Sequence, residues 1–352
     1  MKILFLYAEI TGYLMGCLRA LRAHPQVSEI RAYQALKLPE NDFRPQSETN
    51  LLVRDAINRS AANLWPEISA YQPDVVFVSG WMFRKYYQLA RRLRKSGAVL
   101  IIGNDTPWYG TLRQWMGAVS SPFWLSNVYD YMWVPGAAQA TFAKRLGFPP
   151  DRIKNGLLSA DVEAFQKTEK QPDKKIQTLL SVGSFLPNKG MTRLYRAFNQ
   201  LLSEGLTGWE LHLVGSGPES STLNSSPHVR ITPFVQPEKM PQIFAGADAF
   251  ALASLKESWG VVVHEAACAG LPMLLSQTVG AAATFLEAGK NGLLFDPQSE
   301  TDLLKKMRQF LSFSKEEMAH MGACSAALSH IQSPEKWAET LVQMALSGKS
   351  GY

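Results

Sequence analysis

Short apolar runs alternate with amphipathic segments through the first half of the chain. Alternation of this kind predicts a parallel β-sheet covered by helices on both faces. Ligands of such sheets bind at the carboxyl ends of the strands, so the loops that follow strands are the first places to look for function. The predicted strands are Ile3–Tyr7, Glu29–Tyr33, Val75–Val78, Val99–Ile102 and Tyr131–Val134, and the predicted helices are Leu14–Ala23, Tyr86–Lys95 and Ala137–Leu146.

A second alternating series follows a charged, proline-containing stretch at Gln166–Lys175, which has the composition of a linker. Two such series in 352 residues indicate two α/β domains of ordinary size. The strands of this series are predicted at Gln177–Val182, Glu210–Val214, Val229–Ile231 and Asp248–Ala253, and the helices at Met191–Leu202, Met240–Ala247 and Val261–Ala269.

Composition excludes several classes of protein. A hydrophobic content of 46% with 19% charged residues is typical of a folded globular chain. The apolar run at the start is too short for a signal sequence, and no run approaches the ~18 apolar residues of a spanning helix. The three cysteines and six histidines lack the spacing of metal ligands, so we predict no metal site and a reducing, cytoplasmic location.

Positive charge is concentrated in the first half. Residues up to Phe165 contain 19 lysines and arginines against 13 acidic residues, whereas the remainder has 17 of each. Within Met82–Lys95 there are six positive charges and no negative ones. This segment is either the solvated face of a core helix or a surface that attracts anionic lipid headgroups or an acidic acceptor. Nucleic acid is disfavoured because no recognisable binding module accompanies the charge.

The most informative stretch runs from Glu257 to Pro272. A predicted strand, a glycine turn at Gly260 and a helix point backbone N–H groups and the positive end of a helix dipole at an anion. Glu257 lies in the turn, and Glu265 lies within the helix among apolar neighbours, where an unpaired carboxylate is costly. A nucleotide sugar fits this pattern. The alternative is that Glu257 caps the helix and Glu265 is an ordinary solvated residue.

Three further loops follow predicted strands. Gly183–Gly190 contains Lys189, Gly215–Pro218 has a Gly-x-Gly turn, and Gly103–Gly110 has polar and aromatic residues. Each of these patterns alone is equally typical of an ordinary loop; for Asp105 the alternative is an Asx turn before Pro107. The loop after the first strand lacks Gly-x-Gly-x-x-Gly, which counts against a nicotinamide cofactor.

Glu-(seven residues)-Glu followed by Ala-x-x-x-Gly-Leu-Pro resembles the donor-site signature of the family 4 retaining glycosyltransferases. The resemblance continues to Pro297, is specific over Gln177–Pro297, and extends to the first half in general layout only. It implies an α/β protein of GT-B architecture, with two Rossmann-like doubly wound domains facing an interdomain cleft. The implied domains are an acceptor-binding domain (1–165), a donor-binding domain (166–335) and a C-terminal helix that returns to the first domain (336–352).

The resemblance also assigns roles to residues. It implies that Glu257 holds the donor sugar, Glu265 the ribose and Lys189 the diphosphate, and that Asp105 lies near the reacting sugar; Glu257, Lys189 and Asp105 are therefore the predicted catalytic residues. The predicted donor-binding residues are Gly183, Ser184, Gly190, Gly215, Phe234, Val235, Ser258, Trp259, Gly260, Val261 and Glu265. On the acceptor side they are Gly12, Tyr13, Trp108 and Tyr109, although these aromatics fit a core equally well.

Two positions depart from the family pattern. Ser184 stands where the family usually has arginine, and the loop before Gly12 has fewer glycines than usual. These departures motivate a second hypothesis, a non-catalytic partner that binds a nucleotide sugar within a glycan assembly complex. A third is a GT-B sugar epimerase, and a dehydrogenase is the least favoured.

The favoured prediction is a retaining, metal-independent glycosyltransferase without a cofactor. It would transfer a sugar from a UDP- or GDP-linked donor to a hydroxyl group of a glycan, glycolipid or small molecule, in cell-surface polysaccharide or glycolipid assembly. We expect a cytoplasmic protein with peripheral contact to the anionic inner face of the cell membrane, and no nucleic-acid partner.

Overall fold

The computed structural model describes residues 1–37, 43–168 and 174–349. Up to residue 159 the chain alternates strands and helices. In chain order these elements are β1 (Lys2–Tyr7), α1 (Gly12–Ala23), β2 (Glu29–Gln34), β3 (Leu51–Asp55), α2 (Ala61–Tyr71), β4 (Val75–Val78), α3 (Arg84–Arg94), β5 (Val99–Gly103), α4 (Leu112–Trp124), β6 (Tyr131–Trp133), α5 (Ala137–Arg145) and β7 (Ile153–Lys154).

The second series continues the alternation and ends in three helices. Its elements are α6 (Val162–Gln166), β8 (Gln177–Val182), α7 (Met191–Ser203), β9 (Trp209–Val214), β10 (Val229–Thr232), α8 (Met240–Ala245), β11 (Ala249–Leu252), α9 (Val261–Cys268), β12 (Met273–Ser276), α10 (Ala282–Phe285), β13 (Gly292–Phe295), α11 (Glu300–Leu311), α12 (Lys315–Ser329) and α13 (Pro334–Lys349). None of the helices within the described ranges has the length and apolar content needed to cross a bilayer.

The predicted parallel sheets are both present in the described part of the chain. One sheet has the strand order β3-β2-β1-β4-β5-β6-β7 and the other β10-β9-β8-β11-β12-β13, and every pairing in both is parallel. The central strands are buried on both faces, as β4 and β11 illustrate. In each sheet the order in which successive strands are added reverses once. The reversal lies between β1 and β4 in the first sheet and between β8 and β11 in the second. At such a switch point the loops from neighbouring strands diverge and leave a crevice.

The chain divides into two compact units. One contains the described residues up to Ser159 and those from Gln332 onward, and the other extends from Ala160 to Ile331. The sequence predicted a boundary between residues 165 and 166, six residues after the observed one, and that predicted boundary falls inside α6. In the structure Phe165 of α6 packs edge-to-face on Phe244, with ring centroids 5.3 Å apart, so α6 belongs to the second unit.

The last helix, α13, belongs to the first unit and is anchored there by Trp337. This buried indole lies 4.8 Å from the Trp133 ring and 5.9 Å from the Phe5 ring, and its Nε1–H donates to the Leu157 carbonyl at 2.6 Å. An aromatic cluster of this size contributes a large share of the buried apolar area. The sequence-based expectation had the returning segment begin at residue 336.

Trp337→Ala is therefore expected to lower the free energy of unfolding of the first unit by about 3–5 kcal/mol. The substitution leaves a cavity beside Phe5 and Trp133 and removes the donor to the Leu157 carbonyl. Denaturant unfolding would measure the loss. Leu346→Ala on the same helix is the matched control, because the Leu346 side chain is 48% exposed and its truncation should cost less than about 1 kcal/mol. Equal losses would contradict the anchoring role.

Candidate functional site

The switch point of the second sheet gathers the loops that follow β8 and β11. After β8 the chain passes through Gly183 and a 3₁₀ turn at Pro187–Lys189, and then enters α7 at Gly190. Gly190 has φ +70°, and a Cβ atom there would lie 2.1 Å from the Ala253 carbonyl oxygen. Only glycine allows this approach. The Leu255 N–H donates to the Asn188 carbonyl at 2.8 Å, which joins the two loops.

The glycine turn after β9 lies against the first of these loops. A Cβ atom on Gly215 (φ +143°) would lie 1.9 Å from the Gly183 carbonyl oxygen. The Phe185 N–H donates to the Ser216 carbonyl at 2.8 Å, which holds the two turns together. Glycines predicted as donor-site residues thus have a structural reason for their identity, namely direct backbone packing between neighbouring strand ends.

Lys189 and Glu257 meet at this point. The Lys189 Nζ lies 2.5 Å from Glu257 Oε2, and the Ser254 hydroxyl donates to the same oxygen at 3.3 Å. Both charged side chains are mostly buried, with 24% and 13% of their surfaces exposed. Partial burial strengthens the attraction relative to an exposed pair, which usually contributes little. The turn itself is fixed because the Ser254 carbonyl accepts from both Ser276 Oγ and Thr278 Oγ1.

The amino terminus of α9 has no side-chain cap. Gly260, in the left-handed region at φ +93°, occupies the cap position and has no side chain to accept from the first turn. The Glu257 carboxylate pairs with Lys189, so the structure rejects the alternative in which Glu257 caps this helix. An uncapped helix start concentrates unpaired N–H donors and positive potential, which suits an anion.

Glu265 lies one helical turn further along α9 and is half-buried. Its carboxylate forms no hydrogen bond or ion pair with the part of the chain that the structure describes. Burial raises the pKa of this carboxyl group to about 7. Since a carboxylate in such a position is costly unless something donates to it, Glu265 is the group at this site that most needs a ligand with hydroxyl donors.

The remaining predicted donor residues lie around the same strand ends. Phe234 and Val235 are half-buried in the loop after β10, and Ser184, Ser258 and Val261 are half-buried too. Trp259 differs, because its side chain is buried and packs edge-to-face on Phe285. Its carbonyl accepts from the Ala281 N–H at 2.9 Å.

Asp105 follows β5 in the first unit, at an exposed position. The Asx turn offered as its alternative role is made by Asn104 instead, because the Thr106 N–H donates to Asn104 Oδ1 at 3.3 Å. Burial raises the pKa of Tyr13 to about 12, and the charge of Asp105 adds to the rise, so these two predicted residues lie near each other. Gly12 is the first residue of α1.

The two aromatic residues predicted on the acceptor side have different surroundings. Trp108 is half-buried against Phe142 and Trp115, with the Arg145 guanidinium 4.6 Å from its ring centroid. Tyr109 is exposed, and its N–H donates to Gln114 Oε1 at 2.8 Å. Trp108 therefore takes part in packing, which was the alternative for these aromatics, whereas the Tyr109 ring does not belong to the core.

His264 is an important residue that the sequence did not single out. Its buried ring stacks on Phe285 with centroids 4.2 Å apart. Nδ1 accepts from the Ala160 N–H at 3.0 Å and Nε2 lies 2.9 Å from the Ser329 carbonyl. An N–H can only donate and a carbonyl can only accept, so the ring is neutral with its proton on Nε2. A histidine beside Glu265 in a helix whose other residues are apolar was the available signal.

Comparison with known proteins fits this geometry. Residues 162–324 match the family model described as glycosyl transferases group 1, which coincides closely with the second unit. The second unit is a group 1 glycosyltransferase domain. Lys189, Glu257 and Glu265 all lie inside the matched region of this domain.

Curated relatives match parts of the chain. A D-inositol 3-phosphate glycosyltransferase of Rhodococcus opacus is 23% identical over 56% of this chain and 48% of its own length. A sulfoquinovosyl transferase of Arabidopsis thaliana is 24% identical over 70% of this chain and 51% of its own length. A GDP-mannose-dependent phosphatidylinositol monomannoside mannosyltransferase of Mycobacterium tuberculosis is 28% identical over 42% of this chain and 41% of its own length. The chain thus spans about half the length of the curated relatives it matches.

Solved structures extend the likeness to the whole fold. The Anabaena HepE protein in complex with UDP and glucose superposes with a TM-score of 0.73 at 15% identity, covering 99% of this chain and 100% of that one. A glycosyltransferase from Rickettsia africae superposes with a TM-score of 0.77 at 11% identity, covering 100% of this chain and 99% of that one. The predicted GT-B fold of two Rossmann-like domains is confirmed, with the group 1 glycosyltransferase domain as the second of them.

The His264 contacts of this domain predict a pH dependence of stability. Burial lowers the pKa of His264 to about 4, below the ordinary value near 6.5. The stabilisation from the neutral ring is therefore complete above pH 6.5 and is lost as the pH falls toward 4, by about 3 kcal/mol.

Unfolding by denaturant at pH 7.5, 5.5 and 4.5 would check this. His264→Gln is expected to be less stable at pH 7.5 and to lose less on acidification. His228→Gln, at an exposed position of the same domain, is the control and should follow the wild-type slope. Parallel pH profiles for wild type and His264→Gln would contradict the assignment.

Proposed function

We propose that the protein is a retaining glycosyltransferase that moves a sugar from a UDP- or GDP-linked donor to an acceptor hydroxyl group without a divalent metal ion. The observation that carries the proposal is the Lys189–Glu257 pair at the switch point of the second sheet, three residues before the glycine-capped start of α9, the helix that also carries the buried carboxyl group of Glu265. These groups match the parts of a nucleotide sugar: a diphosphate, a sugar and a ribose.

The leaving diphosphate gains negative charge as the bond to the anomeric carbon breaks. Lys189 and the start of α9 offer positive charge and N–H donors to it, and stabilising a leaving group in this way lowers the barrier directly. Because Lys189 is paired with Glu257, a diphosphate that binds Lys189 competes with that carboxylate. Glu257 is then available to accept hydrogen bonds from the sugar hydroxyls.

Glu265 is assigned to the ribose. An ionised carboxylate accepts from two neighbouring hydroxyl groups, and α9 carries Glu265 on the helix whose start faces the phosphates. With a pKa of about 7, the carboxyl group is substantially protonated near neutrality until a diol donates to it. Retention at the anomeric carbon is supported by the resemblance of this motif to the retaining family. In that chemistry the acceptor hydroxyl attacks the anomeric carbon from the face that the leaving phosphate departs from. The hydroxyl loses its proton to the phosphate.

The acceptor is assigned more broadly, to a glycolipid or a cell-surface polysaccharide precursor. Three lines support it: the positive charge of the first half, the lipid named in the M. tuberculosis relative and the inositol phosphate named in the R. opacus relative. We further propose a cytoplasmic enzyme in peripheral contact with an anionic membrane. UDP and GDP are both retained as donor nucleotides because UDP accompanies HepE and GDP-mannose appears in the name of the mannosyltransferase.

The second candidate function is a nucleotide-sugar-binding partner without turnover. Ser184 favours it, since a serine supplies no charge where an arginine would be expected. Product analysis separates the candidates: transfer yields a glycosylated acceptor, an epimerase yields an isomeric nucleotide sugar, and the non-catalytic partner yields neither.

Nucleotide binding tests the donor site. The purified protein with EDTA should gain about 5–10 °C in Tm from either UDP or GDP at ~100-fold excess over Kd, and little from the other nucleotides ADP and CMP. Lys189→Ala and Glu265→Ala should abolish the shift. Lys290→Ala is the matched control, because Lys290 forms an exposed pair with Glu287 in the same domain. A shift that survives in Lys189→Ala, or that appears only with added metal, would contradict the proposal.

Glu257→Gln tests turnover separately from binding. The amide keeps the shape of the side chain but accepts fewer hydrogen bonds and carries no charge, so the release of nucleoside diphosphate from the donor sugar should fall by about 10²–10³-fold while the fold remains intact. A coupled assay measures release, and a thermal melt of the variant controls for folding. Wild-type rates in the folded variant would remove Glu257 from the reaction.

A further inference from the structure

Helix α4 of the first unit shows its apolar side to solvent. Of its thirteen residues only Ser121 is fully buried. Five large apolar side chains are more than half exposed: Leu112 (75%), Trp115 (51%), Met116 (59%), Val119 (73%) and Phe123 (83%). Surface helices ordinarily turn such residues toward the core, so this exposure needs a reason.

The exposed residues form one continuous face. Leu112, Met116, Val119 and Phe123 recur at spacings of four, three and four, and Trp115 lies beside them, which places all five within about 100° of the helix circumference. The opposite side has small or polar residues, among them Gln114, Ala118 and Ser121, and also Trp124, whose ring packs edge-to-face on Tyr87. The helix is therefore amphipathic with its apolar face outward.

Positive charge borders this face, and acidic residues are missing from its sequence. Between Thr106 and Tyr129 the chain has one charged residue, Arg113, and no aspartate or glutamate. The Arg145 guanidinium lies 5.4 Å from the centroid of the Trp115 ring. At the other end of α4, the Tyr87 hydroxyl donates to the Trp124 carbonyl at 3.1 Å, and Arg91 lies over the Tyr87 ring.

We infer that α4 is an interfacial helix that lies in the surface of an anionic lipid bilayer. Its five apolar side chains would enter the boundary between headgroups and acyl chains, and Arg91, Arg113 and Arg145 would contact anionic headgroups. The inference rests on the membrane contact in the proposed function and names the surface that makes it. Trp, Phe, Leu and Met beside arginine are the residues that interfacial helices use.

The same charges argue against a second copy of this chain as the occupant. A symmetric dimer through α4 would bring like-charged arginines of the two copies together around an apolar centre, with no acidic residue on this segment to neutralise them. An anionic lipid surface is complementary both to the apolar face and to its basic border.

The lysine- and arginine-rich segment Met82–Lys95, which the sequence singled out, is not itself the proposed membrane surface. On α3, Arg94 forms an ion pair with Asp130, and Arg92 lies over the Trp65 ring. Lys85 donates to the Ala56 carbonyl. Several of its cations are thus used within the unit, and Arg91 is the cation of α3 that lies near the carboxyl end of α4, over the Tyr87 ring.

Vesicle co-sedimentation of the whole protein, without nucleotide, tests the inference. The protein should bind phosphatidylglycerol-containing vesicles, and bind pure phosphatidylcholine vesicles more weakly. The double variant V119S/F123S should lose roughly tenfold or more in partitioning into anionic vesicles. The matched control I176S/I331S removes two side chains with 46% and 50% exposure in the second unit and should bind as the wild type does. R113Q should weaken binding to anionic vesicles alone.

Three results would overturn the inference, and each is distinguishable from failure of the donor site. Equal vesicle binding by wild type and V119S/F123S would move the membrane contact elsewhere. No binding to any vesicle would reject the membrane contact itself, while nucleotide thermal shifts would still report on the donor site. A concentration-dependent dimer that V119S/F123S abolishes would show that a second copy covers the face. Both side chains are largely exposed, so an unchanged thermal melt verifies that the variant is folded.

Discussion

The candidate site depends on how closely the backbone after β8 approaches the backbone after β11. Gly190 and the Ala253 carbonyl lie so near each other that no side chain fits between them, and this contact sets Lys189 beside Glu257. The charges are therefore positioned by backbone packing. The glycine turn after β9 extends the same principle to a third strand end, so the site is built on rigid elements whose geometry depends on the absence of side chains.

The sequence predicted the second unit well because its signals are local. The strand, glycine turn and helix around Gly260 are read from neighbouring residues, and both glutamates lie in that one segment. The Lys189–Glu257 pair was not predicted, because the two residues are 68 positions apart and meet only through the switch point. The burial of Trp259 was not predicted either. This residue lies within the motif, but the Phe285 ring that packs on it comes from a later segment of the chain.

In the first unit, sequence patterns indicated the strands better than the surfaces. The strand β3 and the helix α2 were not predicted, since β3 is short and partly polar and α2 contains Pro66. Trp108 and Tyr109 were predicted with two alternatives, acceptor surface or core. Helical periodicity identifies an apolar face but does not say what covers it, and in α4 that face is exposed. For Asp105, the neighbouring Asn104 makes the turn that was expected of the aspartate.

The contacts of His264 have a mechanical consequence. Ala160, which donates to the ring, is the first residue of the second unit, and Ser329, which accepts from it, lies two residues before that unit ends. The two points at which the chain enters and leaves the unit are thus tied, through one imidazole, to the helix that carries Glu265. Neither end of the unit can separate from α9 without breaking a hydrogen bond to His264, so this one side chain closes the unit at the point where its two ends meet the helix.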